Sequence, residues 1–208
     1  MSKQAHILAV EVERPHLPGY VKTDPIAFLE KGNLWLGYRP YLETLDPIHD
    51  DLDKKAILQI IPYVIIKHED KILFYVRPNA GNEARLHGKV SAGIGGHIDL
   101  VDIVHEDSVI SLHATMAAAC VREIEEEIKL KVDAEKINWS GLIYRDDGSV
   151  DRVHVGVVAE IEIDDAMLAQ IQSTEEIGEI RFIKPSNLQT DMAQYAVEAW
   201  TKAYLSLI

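Results

Sequence analysis

Apolar and polar positions along the chain alternate with two periods. Residues 57–78, ILQIIPYVIIKHEDKILFYVRP, form two β-branched and aromatic runs separated by a polar turn at His68 to Asp70, which predicts a β-hairpin. Residues 137–163, INWSGLIYRDDGSVDRVHVGVVAEIEI, predict a second hairpin with Asp147-Gly148 at its turn. EIGEIRFIKP holds a further short strand. Between the hairpins the period lengthens. Residues 103–130 are mostly helix formers, and Met116, Cys120, Ile124 and Ile128 recur as the apolar stripe of one helix. The stretch DMAQYAVEAWTKAYLSLI predicts a terminal amphipathic helix with Met192, Ala196, Ala199, Trp200 and Leu205 as its apolar positions. Residues 1–56 have no long period. They predict a strand in AHILAVEVE, a short helix in DPIAFLEKG with Asp24 as cap and Pro25 in the first turn, and a charged link, HDDLDKK. The chain thus divides into an N-terminal appendage over 1–56 and a main domain over 57–208. Antiparallel hairpins flanking helices predict an α/β or α+β sandwich.

Length and charge narrow the function. The 208 residues, 47% of them hydrophobic, suffice for one domain with a full core and a small addition. The formal net charge is -13, with 34 acidic against 21 basic residues. Such a surface repels phosphate backbones and anionic membranes, so neither a nucleic-acid polymer nor a membrane is expected as partner. A phosphorylated small molecule remains open, because a bound cation can invert the local field. The single cysteine, Cys120, permits no intrachain disulfide. The apolar run near the N-terminus is too short for a secretion signal, and no stretch reaches bilayer length, so a cytoplasmic protein is expected.

The sharpest chemical signal is VREIEEEIKL, residues 121–130. On a helix, Glu123, Glu126 and Glu127 fall at i, i+3 and i+4 on one face, while Glu125 points elsewhere. Arg122 lies four residues before Glu126 and can pair with it. Like charges so placed repel one another, and partial burial raises the cost. A solvated acidic face is the ordinary explanation of such a helix. A divalent cation is the other: a hard oxygen cluster suits Mg²⁺ or Mn²⁺ bridging to phosphate. Upstream, SAGIGGHID offers Gly93, Gly95 and Gly96, which let a backbone turn tightly and approach a ligand.

A strand, a double glycine and a helix bearing R-E-x-x-E-E together resemble the Nudix (MutT-like) hydrolases. Their box runs glycine, five residues, glutamate, seven residues, then R-E-U-x-E-E-x-G-U, where U is a bulky aliphatic. REIEEEIKL, Arg122 to Leu130, agrees at every specified position except Lys129, which stands at the family's glycine. Gly95-Gly96 match the leading glycines, and Asp102 takes the place of the first glutamate. The spacer, residues 103–121, is 19 residues long, so about twelve more than the family's must bulge between loop and helix. The order of elements follows the family over roughly 57–208, and RLHGKVSAGIGGHID further resembles a branch described as predicted phosphoesterases. The resemblance implies a Nudix-type α/β/α sandwich with the box helix packed on a mixed sheet. It implies a hydrolase that cleaves a phosphoanhydride in a nucleoside diphosphate-linked or related small molecule with Mg²⁺ or Mn²⁺. Glu123, Glu126 and Glu127 would be the metal-binding glutamates, with a carbonyl ligand from Gly95. Arg122 would hold the carboxylates. A later acid would serve as ligand or general base: Glu179 first, with Glu175 and Glu176 as rivals.

Other residues carry weaker signals. Arg85 and Lys89 could bind substrate phosphate beside Gly95 and Gly96, or be exposed loop charges. Asp102 reads as a loop acid ahead of a ligand. His97 could touch phosphate or cap a turn. His105 and His113 lack the spacing of a zinc site. Cys120 reads as helix packing, which disfavours an isoprenoid diphosphate isomerase of the same fold. Tyr63, Tyr75 and Trp139 could stack on a base but, in strands, read first as core. The rival from another class is a non-catalytic Nudix module that binds a nucleotide-like ligand as a sensor. Dimerisation, common in the family, is compatible with the sequence.

Overall fold

The computed structural model describes residues 5–13, 19–44, 55–78, 87–145, 151–175 and 177–208. In chain order the first elements are β1 (His6–Glu13), β2 (Gly19–Lys22), α1 (Pro25–Leu29), β3 (Asn33–Tyr38), α2 (Arg39–Leu42), β4 (Lys55–His68), β5 (Lys71–Val76), β6 (Lys89–Ser91) and β7 (Gly93–Ile94). Then come β8 (His105–Glu106), β9 (Val109–Ile110), α3 (Leu112–Ile128), β10 (Asn138–Tyr144), β11 (His154–Glu162) and α4 (Asp165–Leu168). The last are β12 (Ile180–Ile183), α5 (Leu188–Asp191), β13 (Ala196–Val197) and α6 (Ala199–Leu205). The α/β class expected from the pattern is the observed one. The residues group into two compact units: Met1–Pro62, Gly96–Ala119 and Trp139–Val158 in the first; Tyr63–Gly95, Cys120–Asn138 and Ala159–Ile208 in the second.

In the first unit, β1 pairs antiparallel with β3, from His6↔Tyr38 to Glu11↔Asn33, and with β4, from Ala9↔Gln59 to Glu13↔Lys55. Strand β1 is apolar almost without interruption because both of its faces are covered. Leu8, Val10 and Val12 join a core with Leu58, Ile60, Met116, Leu142 and Val157, while Ile7 and Ala9 pack with Leu42. The segment before residue 56 therefore supplies an inner strand as well as the expected short helix. That helix begins as its sequence predicts, with the Asp24 carboxylate accepting from the amides of Ile26 and Ala27 at 3.0 and 3.1 Å. Strand β10 pairs antiparallel with β2. The turn read at Asp147-Gly148, between β10 and β11, lies outside the described residues.

In the second unit, β5 is the hub of a mixed sheet. It pairs antiparallel with β4 through a tight turn (Lys67↔Ile72, His68↔Lys71), with β6 (Tyr75↔Ser91, Val76↔Val90) and with β12 (Ile180↔Tyr75 to Ile183↔Ile72). Glu69 adopts φ 55° in that turn, a left-handed conformation a hairpin turn demands. Strand β7 pairs with β4, and β13 runs parallel to β6. The predicted terminal helix is shorter than its periodicity suggested. Met192 follows α5, Ala196 and Val197 are extended and hydrogen-bonded to β6, and only Ala199–Leu205 are helical. The competing force is an open edge of β6, whose backbone groups need partners.

The long spacer is built differently from a simple bulge. A 3₁₀ turn at Leu100–Asp102 leads to a two-residue hairpin, β8–β9, and the helix starts at Leu112, so half of the spacer lengthens α3 at its N-terminal end. Asp102 is buried and caps that turn, its Oδ2 accepting from the Asp99 amide at 2.9 Å, which is the loop role read for it.

Candidate functional site

The box glutamates occupy the last two turns of α3. Met116, Cys120, Ile124 and Ile128 are fully buried, as the stripe predicts, and this orients the neighbouring face inward too. Glu123 and Glu127 are therefore buried, at 2% and 5% exposure, while the Glu126 side chain is half exposed. Two buried carboxylates one helical turn apart are expensive without a counter-charge. Arg122 gives part of it: Nη1 donates to Glu123 Oε1 at 2.8 Å and to Glu126 Oε2 at 3.1 Å. The C-terminal end of the helix is held from outside. Thr174 Oγ1 donates to the Glu127 carbonyl at 2.8 Å, and the Gln172 amide to that of Ile128 at 3.0 Å.

Lys129 takes φ 60° and ends the helix. It adopts the left-handed conformation for which the family's glycine is suited, and its Nζ donates to the Glu126 carbonyl at 3.1 Å. The departure from the box thus preserves backbone shape at the cost of some strain.

Among the described residues no three His, Cys, Asp or Glu side chains converge into a ready-made metal cage. The donor set still fits Mg²⁺ or Mn²⁺. Such ions keep several waters and use one or two protein carboxylates with substrate phosphates. Glu123 and Glu127 offer carboxylates of that kind on one face. Gly95, at φ 155°, has a backbone conformation only glycine takes readily, as a carbonyl turned toward a ligand would need. Gly93 has another reason to be glycine: a Cβ there would lie 2.1 Å from the Tyr63 ring.

The other candidates are scattered between the two units. Glu179 precedes β12; its Oε1 is bound by Arg181 and its Oε2 accepts from the Tyr195 hydroxyl at 3.2 Å. Lys89 opens β6, where its carbonyl accepts from the Arg77 amide. Arg85 and Glu176 lie outside the described residues. Gly96 belongs to the first unit, as does His97, whose Nε2 meets Gln59 Oε1 at 2.8 Å and whose ring stands 5.5 Å from that of His154. Burial, then the charges of Arg39 and His154, push the His97 pKa down to about 2, so the ring is neutral and serves as a structural hydrogen-bonding group. Cys120 is fully buried. Tyr63 and Tyr75 are core, as their place in strands suggested.

Two charged residues of the second unit carry no motif in the sequence. Arg77, one residue beyond β5, sits 5.3 Å from the centre of the Tyr75 ring. Glu198, just before α6, accepts at Oε2 from Ser91 Oγ at 2.7 Å and from Thr201 Oγ1 at 3.3 Å. Thr201 Oγ1 also meets the Tyr63 hydroxyl at 2.9 Å and accepts from the Ala92 amide. The only signal was a lone charge in each of two apolar stretches, ILFYVRP and YAVEAW. Burial pushes the Tyr63 and Tyr75 hydroxyls well up, so both are neutral donors; that of Tyr75 donates to the Gly93 carbonyl at 2.8 Å. Burial works against the Arg77 charge, but the acids Glu198 and Glu127 in its field raise its pKa.

No family model matches the sequence. Protein YmaB of Bacillus subtilis (strain 168) is 31% identical over 151 residues, 72% of this chain and 70% of YmaB. Among solved structures, Tm1382, assigned as a Nudix hydrolase, superimposes with a TM-score of 0.69 over 97% of both chains at 22% identity. The chain belongs to one family with Protein YmaB, and its fold is that of the Nudix hydrolases. A Nudix hydrolase from Alicyclobacillus acidocaldarius is similar over 73% of this chain and 90% of its own, with a TM-score of 0.52 at 12% identity. At these identities the structural likenesses speak to the fold. Among the described residues no helix is long and apolar enough to cross a membrane.

Proposed function

We propose that the protein is a Mg²⁺- or Mn²⁺-dependent hydrolase of a phosphoanhydride in a nucleoside diphosphate-linked or related small molecule. The observation that supports it is the burial of Glu123 and Glu127 on one face of α3, beside an arginine that pins Glu123 and Glu126. When bound, the cation would neutralise the diphosphate and make water a better nucleophile. Glu123 and Glu127 would hold it, with Glu126 at the solvent side and the Gly95 carbonyl as a further donor. Arg122 fixes two of the three carboxylates in advance, so little reorganisation is left for the reaction. A carboxylate must take the proton of the attacking water. We assign this to Glu179, which Arg181 and Tyr195 orient; Glu175 is the alternative. The substrate is a phosphorylated small molecule, a reading supported by the net charge of -13, which disfavours long phosphate polymers.

The test is phosphate release from a panel of nucleoside triphosphates, dinucleoside polyphosphates and nucleotide sugars. We expect cation-dependent turnover, lost on chelation and reduced at least about 100-fold in Glu127→Gln with folding retained. Turnover that persists undiminished in both Glu123→Gln and Glu127→Gln refutes the assignment. Tight nucleotide binding without any release favours the sensor module.

A further inference from the structure

Strand β3 lies at the rim of the first unit's sheet and pairs with β1 alone among the described strands. The Arg39 amide donates to the Ala5 carbonyl at 3.0 Å, which makes Ala5 and Arg39 a bonded antiparallel pair. Bonded and non-bonded pairs alternate along such a ladder, so Gly37, Trp35 and Asn33 also face β1. Leu34, Leu36 and Tyr38 therefore turn their N–H and C=O groups outward, where no described strand meets them. Proteins blunt such rims with lysine, proline, a bulge or a very short strand. In β3 none of these is present: NLWLGY carries no charge and no proline, and its six residues run in unbroken register with β1. Its side chains are open to solvent as well, Trp35 by 44%, Leu36 by 45% and Tyr38 by 40%, with Tyr41 at 62% just beyond. Two of the rings are already held, which lowers the entropy cost of a contact. Trp35 Nε1 donates to Glu11 Oε2 at 3.2 Å, and the Tyr38 ring stands 5.6 Å from that of His6.

We propose that β3 is a self-association edge: two copies of the chain pair their β3 strands antiparallel about a two-fold axis at Leu36. That register sets Leu36 against Leu36 and Leu34 against Tyr38 of the second copy, the positions whose backbone groups point outward. Three such pairs exchange about six backbone hydrogen bonds. Trp35 then falls opposite Gly37 of the second copy, where no side chain competes with the indole. Charge selects a second copy as the occupant. A chain of net charge -13 repels itself over most of its surface, and an uncharged strand is where two copies can touch. The same strand offers a basic partner no acid to pair with. Area sets the strength. The exposed parts of Trp35, Leu36, Tyr38 and Tyr41 come to about 300–450 Å² per copy, roughly half of what a standard interface buries. A reversible dimer with a dissociation constant in the micromolar range follows.

Sedimentation of the full chain from about 1 to 200 μM is the test, with a reversible dimer expected. Leu36→Lys or Leu36→Glu puts like charges opposite each other at the axis and should weaken association at least about tenfold. An equimolar mixture of the two variants joins opposite charges there and should restore it. Leu36 is half exposed, so both variants should keep the circular dichroism of the parent. At high concentration the amides of Leu34, Leu36 and Tyr38 should gain protection from hydrogen exchange, while that of Trp35, already bonded to β1, should not. A parent that stays monomeric throughout overturns the proposal. So does a dimer untouched by both variants, or a mixture of them that fails to associate. If neither variant folds, the exchange pattern of the parent decides alone: no gain at the alternate residues refutes the pairing.

Discussion

Replacing Gly93 by alanine should be severely destabilising, and the reason is the Tyr63 ring. The added Cβ would lie 2.1 to 2.3 Å from three ring carbons, so the ring must move. It has little room. Tyr63 is 4% exposed, its edge meets Trp200 at 5.6 Å between centroids, and its hydroxyl is tied to Thr201 at 2.9 Å. Overpacking of this kind costs about 1–3 kcal/mol. Dragging the hydroxyl from its buried partner costs about 1–3 kcal/mol more. A total of about 2–6 kcal/mol corresponds to a fall in Tm of roughly 4–24 °C for a chain of this size. Urea and thermal unfolding of Gly93→Ala measure it, alone and combined with Tyr63→Leu. In the leucine background the methyl has space, so its cost should shrink below about 1 kcal/mol, a coupling of about 1 kcal/mol or more. If the alanine costs the same in both backgrounds, or under about 1 kcal/mol in the parent, the packing explanation of this glycine is wrong.

Lys129→Gly should relieve the left-handed strain of about 1–2 kcal/mol but return about 0.4–1 kcal/mol to the unfolded chain. Calorimetry should show a Tm raised by about 1–3 °C, with Lys129→Val lowered; the opposite order would count against a strained helix end. His97 has a folded pKa of about 2 against an ordinary value of 6.5, so the unfolded state takes up the proton first. Stability from this group is therefore full above pH 6.5 and falls as pH drops below it, by at most about 1.4 kcal/mol per pH unit. Urea unfolding at several pH values between neutral and acid should show a steeper decline in the parent than in His97→Gln; equal slopes would dismiss the buried neutral ring.

Local rules make a sequence legible where they act alone. The turn at His68 to Asp70, the Asp24 cap, and the stripe of Met116, Cys120, Ile124 and Ile128 each depend on neighbours in sequence, and each could be read. Where a distant partner decides, the pattern misled or fell silent. The periodicity from Met192 to Leu205 reads as one helix, yet the edge of β6 draws Ala196 and Val197 into a strand. Gly93 reads as a point of ligand approach, yet an aromatic ring thirty residues upstream explains it. For the candidate site, the box glutamates and Arg122 announce themselves by spacing. Arg77 and Glu198 do not, because nothing in a linear chain says that residues 121 apart feel one another's charge.

The β8–β9 hairpin bears on how insertions enter a box. His105 and Ile110 are paired partners, so the chain leaves and re-enters this loop at points only about 5 Å apart. A hairpin of that kind is geometrically silent: the segments flanking it are displaced by almost nothing, whatever its length. Its two turn residues, Asp107 and Ser108, both left-handed, make the reversal. Lineages can therefore lengthen or trim this protrusion without shifting the register of the acids downstream, which makes it a natural place to splice in a fluorescent or affinity label.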